Sequence, residues 1–112
     1  MDDFFYLKKI QKKNDKITLI KNDVNKGAGY SRNIGIENSK GDFVAFLDCD
    51  DVWKNNKLEI QIDFMKKNNV DISFTAYDII NYHGEVIGKR TAKKILDFKD
   101  LIKSCDIGLS TV

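Results

Sequence analysis

The chain has 112 residues, with 19 Lys plus Arg against 17 Asp plus Glu, a formal net charge of +2 and no proline. That length holds one domain at most, yet a chain of this size hides roughly two-thirds of its unfolded surface, so a core is within reach. With 42% hydrophobic and 32% charged residues, the composition excludes disordered and collagen-like chains. Near-balanced charge excludes a dedicated nucleic-acid binder, whose counterion release needs a basic face.

Phe4 to Lys13 places Phe4, Leu7 and Ile10 at helical spacing, with Lys8, Lys9, Lys12 and Lys13 as the wet face. Ile17-Thr18-Leu19-Ile20 is short and β-branched and predicts a strand. A turn-rich stretch from Asn22 to Gly29 leads into a short helix over Tyr30 to Asn38, stopped by Gly41 with Lys40 beside its negative end. Phe43 to Leu47 is continuously apolar, the pattern of a strand buried on both faces. A second helix runs from Lys57 to Lys67, with Asn56 and Glu59 as a capping box and Leu58, Ile62 and Met65 as one stripe. Val70, Ile72, Phe74 and Ala76 alternate with polar residues as in a half-exposed strand. Asp78 to Tyr82 and Glu85 to Lys89 flank a His83-Gly84 hairpin turn. A last helix over Phe98 to Ser104 precedes a strand over Ile107 to Val112. Strand–helix–strand order with a buried central strand means α/β.

Cys49 and Cys105 are too few for a disulfide framework and lack metal-ligand spacing, which points to a reduced, cytoplasmic compartment. The longest apolar run is far below the roughly 20 residues of a membrane span, and no cationic-then-apolar leader opens the chain. Lys, Asn and Ile outweigh Arg, Ala and Pro, as in AT-rich bacterial genomes.

Three local features could carry chemistry. Asp48, Asp50 and Asp51 come directly after the apolar run, and ligands of open α/β sheets bind at the carboxyl ends of strands. Three carboxylates within four residues repel one another unless they are solvated or neutralised. A hard cation such as Mg²⁺ or Mn²⁺ neutralises them, taking one or two carboxylates plus phosphate oxygens. In extended chain Asp48 and Asp50 share a face, while Asp51 points away and could cap the next segment. An acidic loop ahead of a helix N-terminus explains the cluster equally well. The second feature is Asn25-Lys26-Gly27-Ala28-Gly29 before a helix containing Arg32, one of two arginines among 19 basic residues. Glycines permit close backbone approach, and an arginine beside a Gly-rich turn suits bidentate recognition of a base or phosphate, although a plain β-to-α connection accounts for it as well. Third, Trp53 is the only tryptophan and is assigned to packing, while His83, without a carboxylate or thiol partner, is assigned to an exposed turn.

In order, these pieces resemble the inverting glycosyltransferases of family 2, which have the GT-A fold. The pattern appears as Asn25-Lys26-Gly27, then Ser31-Arg32-Asn33-Ile34-Gly35-Ile36, Lys40-Gly41-Asp42, and Phe46-Leu47-Asp48-Cys49-Asp50-Asp51. Trp53 and Lys57-Leu58-Glu59-x-Gln61-Ile62-x-Phe64-Met65 come next. The resemblance implies an α/β, Rossmann-like nucleotide-diphospho-sugar transferase fold over residues 1–112, a single partial domain incomplete at both ends. It implies Asp48 near the donor ribose, Asp50 on Mn²⁺ or Mg²⁺, Arg32 near the nucleotide base, and Gly27 leaving room for the nucleotide. The implied donor is a nucleotide-diphosphate sugar. The implied acceptor is a saccharide or a lipid-linked one, in surface polysaccharide or glycolipid synthesis, with the protein cytoplasmic or at the inner face of the membrane. Ser31 stands where the family usually has Ala, and Asn55-Asn56 where a proline is common. The family's Asp-Asp-Gly-Ser strand has no counterpart before Phe4 beyond Asp2-Asp3. Its catalytic base has none before Val112 and is expected beyond it, because Asp71 and Asp78 do not match its motif.

Two other classes remain in view. Asp48-Cys49-Asp50-Asp51-Val52 fits the first motif of haloacid-dehalogenase-like phosphohydrolases, with Asp48 as nucleophile, but the Gly27 turn and Arg32-Asn33 have no role there. The other is a non-catalytic nucleotide-sugar-binding fragment. An unpaired apolar edge at Phe43 to Leu47 further predicts self-association.

Overall fold

The computed structural model describes residues 3–103 and 107–112, so the expectations for Asp2, Ser104 and Cys105 lie outside the described residues. The chain divides into two compact units, Met1–Val44 and Ala45–Val112.

The first unit carries helices α1 (Asp3–Lys13) and α2 (Gly27–Glu37). Asp3 in the first turn of α1 and Lys12 and Lys13 in the last complement the helix dipole. The apolar spacing half-buries Phe4 and Ile10, and the Lys8 and Lys21 ammonium groups lie 4.8 and 4.7 Å from the Phe4 ring centre. Helix α2 starts three residues before the position its sequence predicts, because the main-chain N–H of Gly27 donates to Asn25 Oδ1 (2.9 Å) and turns the chain into the first turn. It also ends without help from Gly41. Asn38 Nδ2 donates to Ile34 O (2.8 Å) and Ser39 Oγ to Gly35 O (2.9 Å), so polar side chains take up the last carbonyls.

The second unit holds α3 (Lys57–Asn68), strands β1 (Tyr77–Ile80) and β2 (Val86–Arg90), α4 (Phe98–Lys103) and a 3₁₀ turn at Leu109–Thr111. The expected Asn56–Glu59 capping box does not form. Asn56 has φ −101° and ψ 7°, outside the extended conformation from which a cap side chain reaches back. Asn69 ends α3 in the left-handed region at φ 50°. The antiparallel β1–β2 hairpin pairs Tyr77 with Arg90, Asp78 with Lys89 and Ile79 with Gly88, with a register shift between Ile79 and Ile80. Its turn is organised by Asn81, whose Oδ1 accepts the N–H groups of His83 (2.9 Å) and Glu85 (3.0 Å), while Gly84 takes φ +80°. At α4, Asp97 and Asp100 cap reciprocally, each side chain accepting the other's main-chain N–H (2.9 and 3.3 Å).

Helices plus a strand hairpin agree with the α/β class, but four expected strands are not strands among the described residues. Ile17 to Ile20 and Phe43 to Leu47 are irregular and belong to no ladder. Phe43, Val44 and Leu47 are exposed rather than buried on both faces. Residues 70–76 also lack a ladder, and the expected alternation is absent: Ile72 is 73% exposed, Ser73 is buried, and Phe74 and Thr75 are both half-buried. Ile107 to Val112 turns into the 3₁₀ segment because Gly108 O accepts the Thr111 N–H (3.0 Å). Among the described residues no hydrophobic side chain is fully buried. The buried positions are polar: Gln61 (8% exposed), Ser73 (7%) and Thr111 (5%).

Candidate functional site

Gly27 and Arg32 both lie on α2. Gly27 has φ +84°, a conformation that an L side chain adopts only with strain, and a Cβ there would meet nothing within 4 Å. The glycine is therefore required by the backbone, and the space beside it is open. Arg32, five residues on, is half-buried. Ser31, where the family usually has Ala, ties the loop to the helix: its Oγ accepts from Asn22 Nδ2 (2.8 Å) and donates to Gly27 O (3.2 Å). An open cleft of about 360 Å³ adjoins this loop, lined by residues that include Ile20, Lys21, Asn22, Lys26, Tyr30 and Ile34. The Lys26 ammonium sits 4.6 Å from the Tyr30 ring centre at its rim. Neither Gly27 nor Arg32 lines it.

In the second unit Asp48 and Asp50 lie in a turn in which the Asp51 N–H donates to Asp48 O (3.2 Å). Asp48 is half-buried, whereas Asp50 and Asp51 are exposed. The Asp48 main-chain N–H donates to Ser110 Oγ (2.9 Å), and Trp53 Nε1–H donates to Ser110 O (2.7 Å). Trp53 is thus a packing residue, as its sequence position predicts, and the Lys57 ammonium covers its ring at 4.3 Å. Burial pushes the Lys57 ammonium below its ordinary pKa. Cys49 is exposed, with a free thiol. Lys54 pairs with Asp78 (3.2 Å) at the start of the hairpin. Among the described residues no three His, Cys, Asp or Glu side chains gather into a metal-holding group.

Sequence reasoning missed the polar hub behind this turn. Gln61 Nε2 donates to Ser73 O (3.1 Å), Ser73 Oγ (3.0 Å) and Thr111 O (3.0 Å), joining α3 to two segments distant in sequence. Its Oε1 is buried with no hydrogen-bond partner. A polar residue between Leu58 and Ile62 on the apolar side of a helix was the available signal.

Comparison with known proteins supplies the family. The chain is 42% identical over 97 residues to a UDP-Glc:alpha-D-GlcNAc-diphosphoundecaprenol beta-1,3-glucosyltransferase, WfgD, of Escherichia coli, covering 87% of this chain and 38% of the relative. It is 36% identical over 107 residues to the putative teichuronic acid biosynthesis glycosyltransferase TuaG of Bacillus subtilis, covering 95% and 42%. A second Escherichia coli glucosyltransferase with the same named reaction, WfaP, is 35% identical over 100 residues, covering 89% and 39%. The chain thus spans about two-fifths of the length of these curated relatives. No solved structure matches it. No helix among the described residues is long and apolar enough to cross a membrane. The profile described as Glycosyl transferase family 2 matches residues 5–110, which sets the phosphohydrolase reading aside: the chain belongs to glycosyl transferase family 2, a family of α/β transferases with the GT-A fold.

Proposed function

We propose that this chain is the donor-binding part of an inverting glycosyltransferase that uses a nucleotide-diphosphate sugar. The observation that carries the reading is the Asp48–Asp51 turn, which fixes the Asp48 backbone and leaves the Asp50 carboxylate in solvent. Asp50 is the protein ligand for Mn²⁺ or Mg²⁺, and Asp48 sits beside the donor ribose. The donor set fits such an ion: hard carboxylate oxygens in an exposed turn suit a cation that keeps waters and phosphate oxygens and needs only one or two carboxylates. When bound, the ion supplies Lewis-acid neutralisation of the leaving diphosphate. Arg32 meets the base, and the open space beside Gly27 admits the nucleotide. The base that deprotonates the acceptor hydroxyl lies beyond Val112. Relatives named for a UDP-Glc donor, a diphosphoundecaprenol-linked sugar and teichuronic acid biosynthesis support surface polysaccharide or glycolipid synthesis, with a saccharide or lipid-linked acceptor at the cytoplasmic face of the membrane.

The test is titration of Mn²⁺ with UDP present, following free Mn²⁺ by its paramagnetic resonance. The parent chain is expected to bind, and Asp50→Asn to bind at least tenfold more weakly, since the ion loses its one protein charge. Equal affinity in the two removes Asp50 from the site. Incubation with nucleotide-sugars and acceptors separates transferase from binder: this chain is expected to bind without transferring, and robust turnover by it alone overturns the placement of the base beyond Val112.

A further inference from the structure

We propose that Ser110 is a positioning residue for the acidic turn, a role that rests on the donor-site reading above. Ser110 stands 62 residues after Asp48, yet its Oγ accepts the Asp48 main-chain N–H at 2.9 Å. Its main-chain oxygen accepts the Trp53 indole N–H at 2.7 Å. One residue thereby holds both ends of the loop from Asp48 to Trp53. Ser110 is itself held firmly. It lies inside the 3₁₀ turn Leu109–Thr111, closed by Thr111 N–H to Gly108 O (3.0 Å) and Val112 N–H to Leu109 O (3.2 Å). The neighbouring Thr111 is buried, and its carbonyl accepts from Gln61 Nε2 (3.0 Å).

The physical consequence runs through the backbone. Fixing the Asp48 N–H fixes the peptide plane from which the turn begins, and the Asp51 N–H to Asp48 O bond carries that orientation across Asp50. On that reading Asp50 meets the cation and Asp48 the ribose of one bound donor, and both contacts lose affinity when their common turn can rotate, because binding then has to order it. The hydroxyl acts on the Asp48 end alone, since the Trp53 bond uses the Ser110 main chain and survives side-chain truncation. A serine hydroxyl can therefore tune the site without touching donor or metal.

The experiment compares the parent with Ser110→Ala and Ser110→Thr in Mn²⁺ titrations with UDP as probe, alongside amide hydrogen exchange at Asp48 and Trp53 fluorescence. Expected for Ser110→Ala is affinity about three- to tenfold weaker, the worth of one hydrogen bond, with faster Asp48 exchange and unchanged Trp53 emission. Ser110→Thr keeps the hydroxyl and should restore affinity to within about twofold of the parent on the same hydrogen-bond reasoning. If Ser110→Ala fails to fold, Ser110→Cys, whose sulfur is a weak acceptor, is read in its place. Binding by the parent with equal affinity in the truncated variant overturns the role of Ser110 and leaves the donor-site reading intact. Weakening that threonine does not repair assigns the loss to packing and also overturns it. A parent that binds no Mn²⁺ with UDP overturns the donor-site reading instead, and the role of Ser110 with it.

Discussion

Replacing Gln61 by Met tests whether buried polar bonds hold the second unit together. The Gln61 amide offers two hydrogens to three acceptors, Ser73 O, Ser73 Oγ and Thr111 O, at 3.0–3.1 Å, so it makes two full bonds' worth of interaction. Methionine has nearly the same length and removes both donors. Ser73 Oγ can reorient, but two carbonyls are left without that donor at roughly 1–3 kcal/mol each. Against this, the substitution also removes the orphaned Oε1, recovering about 1–3 kcal/mol of desolvation cost. The balance is a net loss of about 2 kcal/mol. With no hydrophobic side chain fully buried among the described residues, that is a large share of the available stability. Urea unfolding followed by Trp53 fluorescence suits the question, because the indole is bonded to Ser110, next to Thr111. At a slope near 1–2 kcal/mol per molar urea the midpoint should fall by about 1–2 M. An unchanged or raised midpoint would show that the orphaned oxygen costs as much as the two bonds contribute, and would refute the hub as a source of stability.

Single features set the other expected outcomes. Gly27→Ala should cost about 1–2 kcal/mol through backbone strain alone, since φ is +84° and no atom would meet the new methyl. Gly29→Ala, in the same helix with ordinary φ and equal space, should stabilise by roughly 0.5–1 kcal/mol, and equal effects in a thermal melt would contradict this. Burial lowers the Lys57 pKa from its ordinary 10.5. The cost of charging it in the fold is therefore present in full at low pH, and stability rises between the lowered value and 10.5. The unfolding free energy of the parent minus that of Lys57→Met should climb over this window, and a flat difference would remove the effect. Finally, exposed Phe43, Val44 and Leu47 on ladder-free backbone should make the chain self-associate. Sedimentation as a monomer at every concentration would count against it.

The elements legible in the sequence are those whose cause is local. Phe4, Leu7 and Ile10 repeat at helical spacing, and α1 forms over Asp3–Lys13. His83-Gly84 between two β-branched runs gives the hairpin, with Gly84 at positive φ as a tight turn requires. The strands of Ile17 to Ile20 and Phe43 to Leu47 fail for a non-local reason. Their composition favours a strand, but a ladder needs a second strand, and nothing within the segment itself specifies one. The hub of Gln61, Ser73 and Thr111 was illegible because hydrophobic periodicity scores polar residues as outward. Val70, Ile72, Phe74 and Ala76 set an expected phase in which Ser73 faces outward, while its two acceptors drew it inward to Gln61.

The acidic turn shows how the two kinds of information divide. Its chemistry is written in Asp48, Cys49, Asp50 and Asp51 themselves, since carboxylates so closely spaced at a chain reversal demand either water or a cation. Its geometry is written elsewhere, in a serine 62 residues away and, behind it, in a glutamine on α3. Asp50 and Asp51 are exposed, and the bonds of the turn run through the main-chain N–H and carbonyl of Asp48 and the N–H of Asp51, which carboxylate repulsion does not act on. The repulsion is left to act on the side chains alone. A cation that relieves it gains from a backbone already in place, so little ordering cost is subtracted from binding. On the proposed reading, the supports of this turn, rather than further acidic residues, set how well it would hold a metal-bound diphosphate.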